Sequence, residues 1–230
     1  MNKKIFVFCL LFGMISALPS HARTHHHRKQ PKVTAAQKKT FLIQDISKLN
    51  LKAFDIPKDY SLKKDKSGLT FDALKYTDGD KKTAKILGEE GWQVSNEIYY
   101  QLTDKVGDET NNIYSALSLY KTLDSMECRL EEAKKAFKKD KGEEIANAKK
   151  FGQNSFLVLA HMKDPKWGKI PLYELRFYYG NIFANLEIGG PEGTLSQDQI
   201  EKYGALMEDR LKKACPNCNQ APTLCNRKLK

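Results

Sequence analysis

Three consecutive histidines, His25, His26 and His27, stand just after a run of small residues, and their spacing from Ala22 decides what they could do. If the chain is cut after Ala22, the new terminus reads Arg23-Thr24-His25. The free α-amine, two deprotonated amides and the His25 ring nitrogen can then close a square-planar four-nitrogen site, the geometry Cu(II) and Ni(II) prefer. Proline in second or third place would forbid this, and neither place holds one. His26 and His27 could add affinity. The plainer reading is a solvated arm whose histidines do nothing. No other cofactor is called for.

Cysteine supplies the second cluster. Cys215-Pro216-Asn217-Cys218 is followed by Cys225, and Cys128 lies far upstream. In an oxidising compartment four such residues read as two disulfides, with three connectivities open. Cys128 falls about 200° round its helix from Met126, away from the apolar stripe. An outward cysteine there suggests that the tail folds back and bonds it to one tail cysteine, the other two pairing. A four-cysteine zinc site is the rival, weakened because only the first pair has matching spacing. Redox chemistry is disfavoured because Cys215 follows a helix C-terminus, whose dipole opposes a thiolate. Covalent haem is excluded, since Asn219 stands where a histidine is needed.

The catalytic inventory is thin. His161 is the only histidine of the expected domain and has no motif partner. The doublets Glu89-Glu90, Glu131-Glu132 and Glu143-Glu144 point about 100° apart on helices and read as solvated faces. Gly189-Gly190-Pro191-Glu192-Gly193 precedes a helix, but Pro191 offers no N–H and Glu192 repels an anion, so it reads as a turn and not a phosphate cradle. The aromatics Tyr99, Tyr100, Tyr178 and Tyr179 lie on strand patterns and could form a binding face; sheet packing is the ordinary alternative.

The elements that must position these groups begin after a secretory signal. Lys3 and Lys4 precede an apolar run from Ile5 to Leu18, too short to span a bilayer comfortably, with small residues before a cut at Ala22. Residues 1–22 are therefore expected to leave, with no transmembrane segment after cleavage, and the chain is expected to be secreted or periplasmic. Losing Lys3 and Lys4 lowers the net charge from +11 to +9. Residues 23–39 are basic and nearly devoid of apolar groups, a flexible arm. Residues 40–214 read as a single domain, and 215–230 as a basic tail carrying cysteines. The charge predicts salt-dependent attraction to an anionic envelope surface or acidic glycan; no motif points to specific nucleic acid.

Within the domain, helices are expected at 35–49, 81–90, from Asp124 through the stripe Met126, Leu130, Ala133 and Phe137, in a short piece between Gly142 and Gly152, and after Ser196, whose partner Gln199 suggests a capping box. Period-two alternation predicts strands at 92–102, 113–121, 156–160, 172–179 and 182–188, with Gly180-Asn181 as a hairpin turn. This is an α+β pattern: a mainly antiparallel sheet of about five strands with helices packed on it, closed by a C-terminal helix and a Cys-rich tail.

Four segments, Ile56-Pro57-Lys58-Asp59-Tyr60, Ser115-Ala116-Leu117-Ser118-Leu119-Tyr120, Phe177-Tyr178-Tyr179-Gly180-Asn181 and Asp209-Arg210-Leu211, resemble uncharacterised bacterial extracytoplasmic domains, similar in element order to a PsbP-like sandwich. The resemblance implies no catalytic residues. The expected function is a non-enzymatic, envelope-associated binding protein; capture of Cu(II) or Ni(II) by Arg23, His25, His26 and His27, or an unrecognised hydrolase, are the alternatives. Intact mass of the chain secreted by its host should show a start at Arg23 and a gain of four hydrogens on reduction. An unchanged mass on reduction would reopen the zinc and free-thiol readings.

Overall fold

Alternation in five segments becomes five long antiparallel strands at the centre of a single sheet. The computed structural model describes residues 43, 45–102, 111–123, 126–139, 142–164, 168–190 and 196–218. The expected signal sequence, the histidine arm and Cys225 lie outside them. In chain order the described elements are β1 (Tyr60–Leu62), β2 (Gly68–Thr70), α1 (Ala73–Tyr76), α2 (Lys81–Glu89), β3 (Trp92–Leu102), β4 (Asn112–Tyr120), α3 (Met126–Lys139), β5 (Glu143–Glu144), β6 (Asn154–Asp164), β7 (Gly168–Tyr179), β8 (Ile182–Gly189) and α4 (Gln197–Ala214). The sheet order is β1-β3-β4-β8-β7-β6-β5, with β2 also pairing β3.

The fold class is as expected, α+β with an antiparallel sheet closed by a C-terminal helix, but the sheet has eight strands instead of about five. The three additional strands are two or three residues long. Segments that short carry no readable alternation; they are strands because β3 and β6 offer them an edge. Tyr60 pairs with Leu102, Gly68 with Glu97, and Glu143 and Glu144 with Leu159 and Val158. This last pairing replaces the helix expected between Gly142 and Gly152, since the Ile145 N–H also donates to the Leu157 carbonyl.

Both faces of the sheet are covered. On one, α4 buries Ile200, Tyr203, Met207 and Leu211 against Leu117, Leu175, Phe177, Tyr179, Ala184 and Leu186. Each fully buried side chain of this size contributes roughly 1.5–3 kcal/mol. On the other, α3 lays Met126, Leu130, Ala133 and Phe137 over Phe156, Tyr178 and Phe183. There Arg129 pairs with the buried Glu90 at 3.3 Å and braces α3 against the end of α2. Tyr76 of α1 stacks on Trp92 with ring centroids 5.4 Å apart, and its hydroxyl meets Ser118. Ser196 caps α4 by accepting the Gln199 N–H, but Gln199 turns its amide to the Tyr203 hydroxyl, so the reciprocal half of the capping box is replaced.

The helix expected at 35–49 is not formed in its described part, where residues 47–49 make a turn. Two buried asparagines take over the backbone there. Asn181 accepts the Ile43 N–H through Oδ1 and donates Nδ2 to the carbonyls of Ile43 and Tyr120. Asn50 donates to the carbonyls of Asn96 and Ser115, while Arg210 of α4 donates to the Asn50 carbonyl and to Asp55. The chain before β1 is thus stitched to the sheet and to α4, and Ile43, Ile46, Leu51 and Ile56 join the core.

The β7–β8 turn has φ +58° at Gly180, while Asn181 is not among the positive-φ residues, the pattern of a type II′ turn with glycine first. Gly152 has φ +59°, and a Cβ there would lie 2.0 Å from the Tyr178 carbonyl oxygen. Its N–H donates to Glu208 of α4. Gly152→Ala is therefore expected to cost about 2–4 kcal/mol, from backbone strain and the clash together, read from chemical denaturation. An unchanged midpoint would contradict the close approach.

Candidate functional site

The cover on the α3 face is incomplete, and the gap carries charge. α3 packs on β6 and β7, α1 on β2 and β3. Between them runs a polar strip made by the alternate residues of four strands: Glu97 of β3, Tyr114 of β4, Asn185 and Glu187 of β8, and Arg176 of β7 are half-buried, while Glu174 of β7 is wholly buried.

Strand register sets this arrangement. Because side chains alternate, Glu174 and Arg176 share a face, as do Asn185 and Glu187 on the next strand. The two-residue hairpin then puts Glu174 opposite Glu187 and Arg176 opposite Asn185. β4 adds Tyr114 beside Glu187, and β3 adds Glu97 beside Ala116. Directly opposite side chains in such a pair have Cβ atoms about 4.5–5.5 Å apart, so two facing carboxylates repel unless compensated.

Compensation comes from Arg176. Its Nη2 lies 3.3 Å from a Glu174 oxygen, and its guanidinium sits 4.7 Å from the centre of the Phe137 ring on α3. Burial pushes the Glu187 carboxyl above its usual range, opposed by the Arg176 charge and by the Asn185 amide, which donates to it at 2.7 Å. Burial likewise raises Glu97, with Asp78 adding to the effect, while the Tyr114 hydroxyl, donating at 2.8 Å, opposes it. Ionised, the strip holds three carboxylates and one guanidinium, a local acidic patch on a strongly basic chain. Among the described residues no three His, Cys, Asp or Glu side chains converge as a metal-ligand set. The charge is spread along the sheet, an arrangement suited to pairing with an ammonium or guanidinium group.

The residues singled out from sequence lie elsewhere. Tyr100, Tyr178 and Tyr179 are buried and Tyr99 is half-buried, so they form no exposed aromatic face. Alternation sends Tyr178 and Tyr179 to opposite sides of a sheet covered on both. Tyr178 donates to Glu127 of α3, and Tyr179 to the Cys215 carbonyl below α4. Cys215 and Cys218 are joined in a disulfide. Cys128 is disulfide-bonded too, with a partner outside the described residues. It is wholly buried and not outward as expected, because the flank of α3 that carries it is covered. His161 is exposed on β6 and, by alternation, projects from the sheet face opposite the strip. Arg23, His25, His26, His27 and Cys225 lie outside the described residues.

Sequence reasoning missed the strip although its signal was present. Glu174 and Arg176 interrupt an otherwise apolar strand at alternate positions, and Asn185 and Glu187 do the same on the next; the Gly180-Asn181 turn fixes their register.

The extracellular domain of PknH from Mycobacterium tuberculosis has a similar fold, with a TM-score of 0.50 at 13% sequence identity over 72% of this chain and 93% of that one. No family model matches the sequence, the PsbP-like one included, and no curated protein matches it.

A raised carboxyl pKa in the folded state means stability that is present at low pH and lost as pH rises through the folded value. Glu187→Gln removes that loss. Its melting temperature should exceed the parent's by a few degrees at mildly alkaline pH and match it at acid pH. Arg176→Met, which leaves Glu174 and Glu187 facing each other, should cost about 3 kcal/mol at neutral pH. Equal melting temperatures for all three proteins across the pH range would show that the strip is not electrostatically coupled.

Proposed function

We propose that this chain is an extracytoplasmic, non-enzymatic binding protein of the bacterial envelope, and that the polar strip between α1 and α3 contacts a ligand bearing a cationic group. The observation that carries the reading is the surplus of half-buried carboxylate over guanidinium on that strip. Arg176 is already engaged with Glu174, so Glu97 and Glu187 are the groups left to meet an incoming cation. Half-burial strengthens such pairing relative to a fully solvated surface.

The extracytoplasmic part rests on the signal-like N-terminus and is in keeping with a fold found in the extracellular domain of a mycobacterial protein. Among the described residues no helix is long and apolar enough to cross a membrane. The non-enzymatic part is supported by the placement of His161, which stands apart from the strip's carboxylates on the other face of the sheet.

Titration calorimetry with spermidine and with L-arginine tests the reading. Binding should tighten as pH rises and Glu187 and Glu97 ionise, and Glu187→Gln should weaken it by about tenfold, the loss of one charge-assisted contact. Affinity indifferent to pH and to the substitution would place the contact elsewhere, and no binding of either amine would remove the cationic-ligand reading.

A further inference from the structure

The chain has five cysteines, Cys9, Cys128, Cys215, Cys218 and Cys225. Cys215 and Cys218 are bonded to each other, and Cys128 is bonded to a cysteine outside the described residues. Only Cys9 and Cys225 remain, and Cys9 falls in the segment expected to leave with the signal. Geometry at one end of the sheet bears on the choice. Tyr178 and Tyr179 are consecutive on β7, so their side chains point to opposite faces. The Tyr179 hydroxyl donates to the Cys215 carbonyl at 2.9 Å, and the Tyr178 hydroxyl donates to the carboxylate of Glu127, the neighbour of Cys128. Asn154, at the start of β6, donates to the same carboxylate at 2.9 Å. The end of α4 and the first turn of α3 therefore lie on opposite faces of one end of the sheet, beside the β7–β8 turn.

We infer that Cys225 is the partner of Cys128, and that this bond makes the C-terminal segment a covalent strap between the helices on the two faces of the sheet. Reach allows it. Layers packed about 10 Å apart put α3 and α4 roughly 20 Å from each other. The seven residues from Asn219 to Cys225 extend to at most about 25 Å, and a disulfide adds about 5.5 Å between Cα atoms. Position also explains why Cys215 and Cys218 pair locally: both are buried in the core under α4, with the sheet between them and α3. Cys128 and Cys225 each give up one hydrogen to a disulfide oxidant, whose own S–S bond opens to two thiols. The ring closed in this way holds about a hundred residues and takes in β6, β7, β8 and α4. Disulfide stabilisation grows with the length of chain enclosed. The first turn of α3 thus stays tied to the chain leaving α4 when either helix loosens. The inference rests on the extracytoplasmic reading for an oxidising compartment and for the loss of Cys9; amine binding at the strip does not depend on it.

The test uses the full mature chain, exported to an oxidising compartment and digested without reduction. Trypsin should leave residues 122–129 joined to residues 214–227, a peptide that holds all three tail cysteines. A further cut after Leu224 by chymotrypsin should then free the piece with Cys215 and Cys218 and keep Cys225 on the piece with Cys128. Cys128 joined to Cys9, Cys215 or Cys218, a free thiol at Cys128 or Cys225, or a Cys225 bond between two chains would overturn the inference. Cys225→Ser keeps the Cys128 sulfur in place, so it isolates the strap from the packing. It should melt about 10 °C below the parent and show one thiol on unfolding; an unchanged melting temperature would show that the bond does not hold the helices. The peptide map is read on the parent chain and decides the pairing even where the variant does not fold. Spermidine titrated into the same oxidised protein reports on the strip separately, so absent amine binding leaves the pairing standing.

Discussion

A sheet buried on both faces imposes one demand on everything around it: each face needs an apolar lid, and each polar atom beneath a lid needs a partner. The helices α3 and α4 are long enough to cover only part of five long strands. The remainder falls to pieces with no amphipathic pattern of their own, namely the segment from Ile43 to Ile56 and the single-turn helix α1. They stay in place through buried polar side chains. Asn181 and Asn50 each satisfy several backbone groups at once, so the chain before β1 can be irregular without leaving orphaned donors and acceptors. Removing one member of such a network strands the rest, which makes it rigid.

The polar strip is the same demand seen where the lids stop. Glu174 has no contact with water, yet it shares a strand face with Phe137's partner Arg176 and faces Glu187 across the hairpin. Apolar residues replacing all of these groups together would pack at least as well, because buried ion pairs seldom exceed hydrophobic replacements in stability, whereas removing one partner alone strands a charge. Charge retained at a cost of that kind, half in reach of solvent, is the ground for the contact with a cationic group proposed for the strip.

The long elements were legible because their periodicity reports local physics. Strands β3, β4, β7 and β8 and helices α2, α3 and α4 all follow from alternation, stripes and caps. What escaped depended on pairing. β1, β2 and β5 are strands only because an edge accepts them, and the expected helix before Asn50 yields to side-chain hydrogen bonds with residues more than forty positions away. The site was harder still. Glu97, Tyr114, Glu174, Arg176, Asn185 and Glu187 spell no motif, and they become neighbours only when four strands are in register. Tyr100, Tyr178 and Tyr179 were misread for the converse reason: aromatic strand residues bind ligands only where a face is left open, and sequence does not say which face that is.

One edge of the sheet carries a different burden. β5 covers β6 only opposite Val158 and Leu159, so among the described residues the last third of β6 has no strand on its outer side. Its backbone groups there are a template on which any extended chain could add itself. His161 and Lys163, both exposed, lie on that stretch, and Lys163 puts a hydrated charge on the sheet face beside the place an added strand would take. Solubility, more than fold stability, is what these side chains guard: a β-branched apolar residue at Lys163 would leave the interior as it is and take a charge away from an edge open to strand addition.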